Sequence, residues 1–503
     1  MDKRKSFLNV TVSLTCKIVT MILVIFVKRV LVQTCGNEVN GLNALYLSII
    51  GFLAVAELGV GSAITFCMYK PIVEGDNQQV SALYQLFRRL YMLISGIILI
   101  GGLLLTPFIH HFAKDYTVLD ENLYLTFILM LISVVITYWF SAKTSLINAY
   151  KNNYISTAIS SGGIILQYIL QIVVLLLTGS YVGYLVCRIV AVLTQWGITN
   201  VVTCRKYPQI IDNKQKVNEE NRHSLVRSIR AMFMHNIGYL LVNATDSVVI
   251  SACVGVVALG KYSNYVTVLN SMNGVLTVIF SSLTSIVGHL FVRENKRVAQ
   301  KYHECFHLVN FLIGCVFYLG YYAIIDEVVA LLFSADLVCE RSMAAVIALN
   351  GFVQYMRRST LLFREATGTF YYDRWKPLVE GLINIILSVL LVKSIGVVGV
   401  IVATILTNLL ICHVVEPYVL YRNAFEMSPV KYYCRNYMLI VSFAAGMWLF
   451  QRVAVHSDVL MYRLLINGCI SVVISAGICG LVMLMNRDRM MKIKVVIAGK
   501  GKH

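Results

Sequence analysis

Apolar residues in this chain fall in long continuous runs separated by short polar segments, not in amphipathic stripes. Each run has about 20 residues or more, the length that takes an α-helix across ~30 Å of hydrocarbon. The pattern predicts fourteen spans. The first six run at 7–33, 41–68, 88–112, 122–142, 155–178 and 181–204. The next six run at 232–256, 262–291, 306–333, 343–364, 377–395 and 398–421, and two more at 434–452 and 463–485. The six prolines (Pro71, Pro107, Pro208, Pro377, Pro417 and Pro429) are expected at or near span ends, where a missing N–H costs least.

Composition narrows the class. Of 503 residues, 58% are hydrophobic and 14% charged, and the mean hydropathy is +0.74. A soluble chain carries about 25% charged residues, so a soluble enzyme and a nucleic-acid-binding domain are both excluded. Thirteen cysteines are present. Cys16, Cys67, Cys187, Cys315, Cys412, Cys469 and Cys479 lie inside apolar runs, where free Cys acts as a small hydrophobe, and no CxxC or Cys/His spacing points to a metal. The basic Met1–Lys5 leads into an apolar stretch without a small-residue cleavage site, which reads as a first span and not a removable signal.

The net charge of +18 gains its meaning from where the cations sit. With a cytoplasmic N-terminus, the inner segments hold most of the 43 basic residues, and the outer ones hold only Lys114, Lys261, Arg341, Lys393, Arg452 and Arg463. That asymmetry follows the positive-inside rule and places both termini in the cytoplasm. The longest polar interruption, 205–231, reads as a cytoplasmic linker between an N-lobe (1–204) and a C-lobe (232–421). Two further helices (422–486) and a basic tail (487–503) follow. Gly36–Gly41 at the first outer turn is echoed by Gly255–Gly260, and Lys151–Tyr154 by Tyr372–Trp375. The shared offset of about 219–221 residues suggests two six-helix halves related as parallel repeats.

Ionisable residues at membrane depth cost roughly 2.5–3.5 kcal/mol each on insertion scales and so need a partner or a wet cavity. The deep set is Lys17, Lys28 and Arg29 on the first span, Glu57 on the second, Arg188 on the sixth and Asp246 on the seventh. Lys17 and Lys28 lie nearly on one helical face. Asn236, Tyr239, Asn243 and Asp246 share a face of the seventh span, and Asn270, Gly274, Thr277, Ser281 and Ser285 a face of the eighth. Such stripes fit either helix packing or the wall of an aqueous space. Lys28 and Arg29 could alternatively snorkel to the outer surface, and Glu57 and Asp246 could be structural partners of the cations. Four deep cations against two deep anions leave a positive excess, which suits an anionic guest such as a diphosphate better than an organic cation.

His110, His111, His289, His303 and His307 lie at predicted boundaries and read as surface histidines. No phosphate-cradling glycine loop with its Lys and Ser/Thr occurs, so ATP hydrolysis is not expected, and no large extramembrane segment could hold a transferase site.

Several short segments, in order, carry a resemblance: Gly41–Tyr46, Glu57–Ala63, Tyr69–Pro71, Tyr84–Tyr91, Thr245-Asp246, Gly260–Ser263, and Phe363–Gly368 with Asp373-Arg374. In these the chain resembles the Wzx-type polysaccharide and lipid-linked oligosaccharide flippases of the multidrug/oligosaccharidyl-lipid/polysaccharide exporter superfamily. The resemblance implies an all-α polytopic fold with two lobes around a central cavity and alternating access. It implies as substrate an undecaprenyl-diphosphate-linked oligosaccharide, moved from the inner to the outer leaflet of a bacterial cell membrane for surface polysaccharide biosynthesis. Lys28, Arg29 and Arg188, with Lys17 deeper, are the expected binders of the diphosphate, and Asn243, Asn270 and Thr277 of the sugars. No resident cofactor is implied; Asp246 and Glu57 are candidates for Na+ or H+ coupling. Adjacent basic residues at 28 and 29 depart from relatives that carry an acidic neighbour, which leaves the coupling scheme open. Expected partners are the lipid-linked substrate, membrane lipids, and the polymerase and glycosyltransferases of the pathway; nucleic acid is not one. Two other readings are a multidrug cation antiporter of the same superfamily, which would want an acidic cavity, and a membrane glycan polymerase, which would want a large basic outer loop.

Overall fold

The computed structural model describes residues 3–54, 60–116, 121–211, 245–293 and 295–486, and among these every regular element is helical. The chain is an all-α polytopic membrane protein. Eight helical stretches are long and apolar enough to cross a membrane among the described residues. Two of them, Thr15–Leu53 and Lys376–Phe425, are 39 and 50 residues long; the second contains two predicted spans whole, and the first overlaps parts of two. Both are broken by a glycine at positive φ: Gly36 (φ 91°) in the first and Gly396 (φ 59°) in the second. A left-handed residue ends one run of helix and starts the next in a new direction.

The helices are α1 (Lys3–Leu53, kinked at Gly36), α2 (Val60–Glu74), α3 (Asn77–Leu105), α4 (Leu123–Ala149), α5 (Asn153–Thr178) and α6 (Tyr181–Lys206). After these come α7 (245–253), α8 (Val256–Arg293), α9 (Lys296–Leu332), α10 (Arg341–Met356), α11 (Arg358–Thr367) and α12 (Lys376–Thr407). The last are α13 (His413–Leu420), α14 (Val430–Val453) and α15 (Leu460–Met485). Their starts are written in polar side chains. Asp76 accepts from the Gln79 N–H at 2.9 Å, Asn122 from those of Tyr124 and Leu125 at 3.1 Å, and Ser180 from that of Gly183 at 3.1 Å. Each satisfies a donor that the first turn leaves open. Gly179, left-handed at φ +61°, closes α5 one residue before the Ser180 cap opens α6.

Two prolines lie within helices but near their ends: Pro71 three residues before α2 ends at Glu74, and Pro417 three residues before α13 ends at Leu420. Wide π-turns at Asn408–Cys412 and Tyr421–Phe425 flank α13; such turns relax the i→i−4 ladder that a proline interrupts.

By contacts the chain divides into two compact units, Met1–Ser263 and Asn264–His503. In the first, α1 packs on α5, α5 on α6, α6 on α4 and α4 on α3. Residues 245–263 belong to this unit as well, because the C-terminal half of α1 holds them. A Cβ on Gly41 would run into the Val256 carbonyl, and one on Gly260 into Asn37. The Asn37 amide donates to the Val257 carbonyl at 2.9 Å and the Asn40 amide to the Gly260 carbonyl at 3.1 Å. Two glycine turns read as repeats in sequence therefore pack against each other.

The second unit is organised on α9, which contacts α10, α14 and α15, while α10 also packs on α12. The α9–α10 contact is reciprocal. Gly314 of α9 receives the ring of Tyr355, and Gly351 of α10 receives the ring of Tyr318. Close backbone approach at small residues is the usual way for spanning helices to gain packing. Residues such as Leu362, Phe363, Leu420, Phe425 and Tyr432 form an apolar cluster at one end of this unit.

Candidate substrate-binding site

On α1, Val27, Lys28, Leu31 and Val32 are all buried. Lys28 is 9% exposed, and its ammonium donates to the carbonyl oxygen of Ser263 at 2.6 Å and to its hydroxyl at 2.7 Å. The snorkelling alternative for Lys28 is thereby excluded in this state: the amine is turned onto the first turns of α8. Arg29, about 100° further round the helix, is half-buried, and Lys17 is exposed.

Asp246 is buried at the start of α7, and its charge acts on the hydroxyl of Tyr262, the neighbour of Ser263. Lys28 and Asp246 thus gather at the same step of α8, Tyr262-Ser263, although 218 positions separate them in sequence. Thr245 and Asn264 beside this step are buried too. Arg188 has different surroundings. It is half-buried on α6, and its charge acts on the hydroxyls of Tyr168, Tyr181 and Tyr184. Gln171 ties this tyrosine wall down by donating to the Tyr184 carbonyl at 3.1 Å.

Asn270 and Thr277, in the second unit, are both exposed. Thr277 donates to the Asn273 carbonyl at 2.8 Å, and Asn273 in turn accepts from the Tyr318 hydroxyl. Asn273 is therefore one of the residues by which this helix packs, together with Tyr265 and Leu269, while Asn270 and Thr277 stay exposed. Glu57 and Asn243 lie outside the described residues, as do the side chains of Ser281 and Ser285.

Reading His303 and His307 as surface residues is corrected by the structure: both are fully buried. The helix α9 begins at Lys296, ten residues before the span predicted at 306, so both rings lie well inside it. His307 Nδ1 is 2.9 Å from the Ser359 hydroxyl, and His303 Nδ1 is 3.3 Å from that of Tyr421.

The same unit contains a buried ionic network outside the deep set. Arg357, at the break between α10 and α11, grips Glu416 with Nη2 at 2.5 Å and Nε at 3.1 Å, and reaches Glu380 at 3.7 Å. Lys376 pairs with Glu416 at 2.5 Å and Glu380 at 3.1 Å, and Arg364 pairs with Asp373. Three cations face three carboxylates, so the cluster is balanced. Its sequence signal was the recurrence of charge at Arg357, Arg364, Asp373, Lys376 and Glu380; nothing local pointed to Glu416. On α9, Glu304 pairs with Arg435 at 3.0 Å, and Glu327 with Arg463 at 2.9 Å. None of the thirteen cysteines is in a disulfide, and no group of three or more metal-ligating side chains occurs among the described residues.

No family profile and no curated protein sequence matches the chain. Solved structures do. One described as lipid II flippase MurJ in an inward closed conformation superposes with a TM-score of 0.66 at 13% identity, covering 95% of this chain and 99% of that one. An inward-facing multidrug resistance MATE family transporter of the MOP superfamily gives 0.64 at 14% identity, covering 83% of this chain and 99% of that one. A MOP superfamily transporter from Pyrococcus furiosus, described as having a binding pocket of reverse polarity, gives 0.55 at 12%, covering 84% and 95%. The fold is therefore that of the MOP superfamily transporters.

Proposed function

We propose that the chain is a flippase that carries an undecaprenyl-diphosphate-linked oligosaccharide from the inner to the outer leaflet of the cell membrane by alternating access, with both termini cytoplasmic. The observation that carries the reading is the set of buried and half-buried cations in the first unit. Lys28 is buried at span depth beside a half-buried Arg29, and Arg188 is half-buried on α6. Cations held at this depth suit a phosphorylated head group, whose own transfer through hydrocarbon they would make less costly. The coverage of the chain also favours it: the lipid II flippase spans 95% of this chain and the multidrug transporter 83%.

In this mechanism Lys28, Arg29 and Arg188 receive the diphosphate, the Asn270–Thr277 face contacts sugar hydroxyls, and the polyprenyl tail stays in lipid. Lys28 is engaged by Ser263 in the present state, so it must exchange that contact for phosphate oxygens when substrate arrives. An inside-negative potential helps outward movement of an anion by roughly 2.3 kcal/mol per charge per 100 mV. Asp246, next to the same α8 step, is placed to link a coupling cation to that exchange. The deciding experiment is export of the surface glycan by cells carrying Lys28→Gln and Arg29→Gln together at normal protein level. Loss of export is expected; wild-type export would remove these residues from the mechanism. The second reading, a multidrug cation antiporter, rests on the 0.64 TM-score to such a transporter. It predicts drug resistance in an efflux-deficient host.

A further inference from the structure

A second concentration of positive charge lies in the first unit, away from Lys28, Arg29 and Arg188. Lys143 of α4 sits six residues before that helix ends at Ala149, and Asn200 of α6 six residues before Lys206. Both are thus about 9 Å inside the end of the bundle. Lys143 is half-buried, and its ammonium donates to the side-chain oxygen of Asn200. Cys204, one turn further along α6, reaches the same oxygen with its thiol at 3.8 Å. Across from them on α3, the charge of Arg88 acts on both Lys143 and the buried Tyr84.

Among the described residues neither Arg88 nor Lys143 forms an ion pair with a carboxylate. Two like charges are held within electrostatic reach of each other, one of them partly out of water, and no carboxylate among the described residues pairs with either to offset their repulsion. Arg88 is exposed, as are the neighbouring cations Arg89, Lys151 and Arg205; what sets Arg88 apart from those is that its charge acts on Lys143. Lys143 differs in being drawn inward and oriented.

The hydrogen-bonding inventory points one way. The Asn200 oxygen is already taken by Lys143 and Cys204, so the Asn200 amide offers N–H donors. The Lys143 ammonium keeps further N–H groups, and the Arg88 guanidinium has five. A site rich in donors, with two positive charges, matches a ligand with several anionic oxygens and little else. We propose that Arg88, Lys143 and Asn200 form a binding site for a phosphate or diphosphate group, carried either by a lipid head group of the inner leaflet or by a free phosphate. It is independent of the flippase reading, because none of its residues belongs to the Lys28 site.

The test uses the purified full-length chain in phosphatidylcholine nanodiscs. Inorganic diphosphate is titrated calorimetrically, and in a parallel arm nanodiscs doped with phosphatidylglycerol are analysed by native mass spectrometry for retained lipid. Lys143→Gln and Arg88→Gln are each expected to weaken whichever ligand binds by about ten- to a hundredfold, the scale of a lost charge-assisted hydrogen bond. Lys143→Arg should keep most of the binding and serves, with size-exclusion behaviour, as the check on folding. Binding of diphosphate to the protein in phosphatidylcholine nanodiscs supports a free phosphate as ligand, and retention of phosphatidylglycerol alone supports the lipid head group. The proposal is overturned if neither probe binds, or if Arg89→Gln, at the exposed neighbour, weakens binding as much as Lys143→Gln.

Discussion

The ammonium of Lys28 and the two oxygens of Ser263 meet at 2.6 and 2.7 Å across 235 positions of sequence. This contact fastens α1 to the first turns of α8. Replacing Ser263 by Ala removes the hydroxyl acceptor and leaves the carbonyl. The expected loss is about 1.5–3 kcal/mol, the range for a hydrogen bond to a charged group. It is read as a lower thermal unfolding midpoint of the detergent-purified protein; an unchanged midpoint would mean that water takes the hydroxyl's place without loss.

At Gly41 the obstacle is backbone. A side chain there meets the Val256 carbonyl, which cannot rotate away. Gly41→Leu should therefore force the two glycine turns apart, at a cost of about 1–3 kcal/mol. A cysteine placed at Asn40, which is buried in the seam, would then become reactive to a membrane-impermeant maleimide. If labelling stays as low as in a Gly41 background, the turns do not part.

Glu416 holds three cations at once, Arg357 and Lys376 at 2.5 Å and Arg364 at 3.8 Å. Glu416→Gln leaves them facing only Glu380 and Asp373. Breaking a buried pair from one side costs about 3–5 kcal/mol, so the variant should accumulate poorly and unfold early. Arg357→Met in the same chain should recover part of the loss, because the charge left uncompensated is then removed. A double variant no better than the single one would argue that Arg357 is not the residue left in excess.

The reciprocal packing of Gly314 with Tyr355 and Gly351 with Tyr318 leaves no room for side chains at the glycines. Gly351→Leu should lower stability by about 1–3 kcal/mol through overpacking, whereas pairing it with Tyr318→Ala should restore some of it. Both are measured as unfolding midpoints.

What the sequence could announce was set by length and composition along the chain. The run 155–178 became α5 at Asn153–Thr178 and the run 181–204 became α6 at Tyr181–Lys206, because apolar length is a local property. Breaks at glycines outlast the same logic: Gly36 marks a turn both in sequence and in φ. Partners are not local. Glu380 and Glu416 fall inside predicted spans, yet they pair with Arg357, in the case of Glu416 from 59 positions away, so no window along the chain could reveal the match. His303 and His307 were misplaced for a related reason. The polar stretch before residue 306 resembles a loop, but it is helix whose polar face turns inward onto Ser359, Thr360 and Tyr421. Of the deep cations, Lys28 was left open in sequence between a cavity and the outer surface, and neither its burial nor its engagement with Ser263 was legible there.

The contact between the Gly36–Gly41 turn and the Gly255–Gly260 turn fixes the register of α1 against α8. An insertion of a single residue in either turn would rotate its asparagines or its open carbonyls by about 100°, out of alignment with the other. Length variation should therefore be tolerated in connections away from this contact and purged at these two bends, each acting as the ruler for the other.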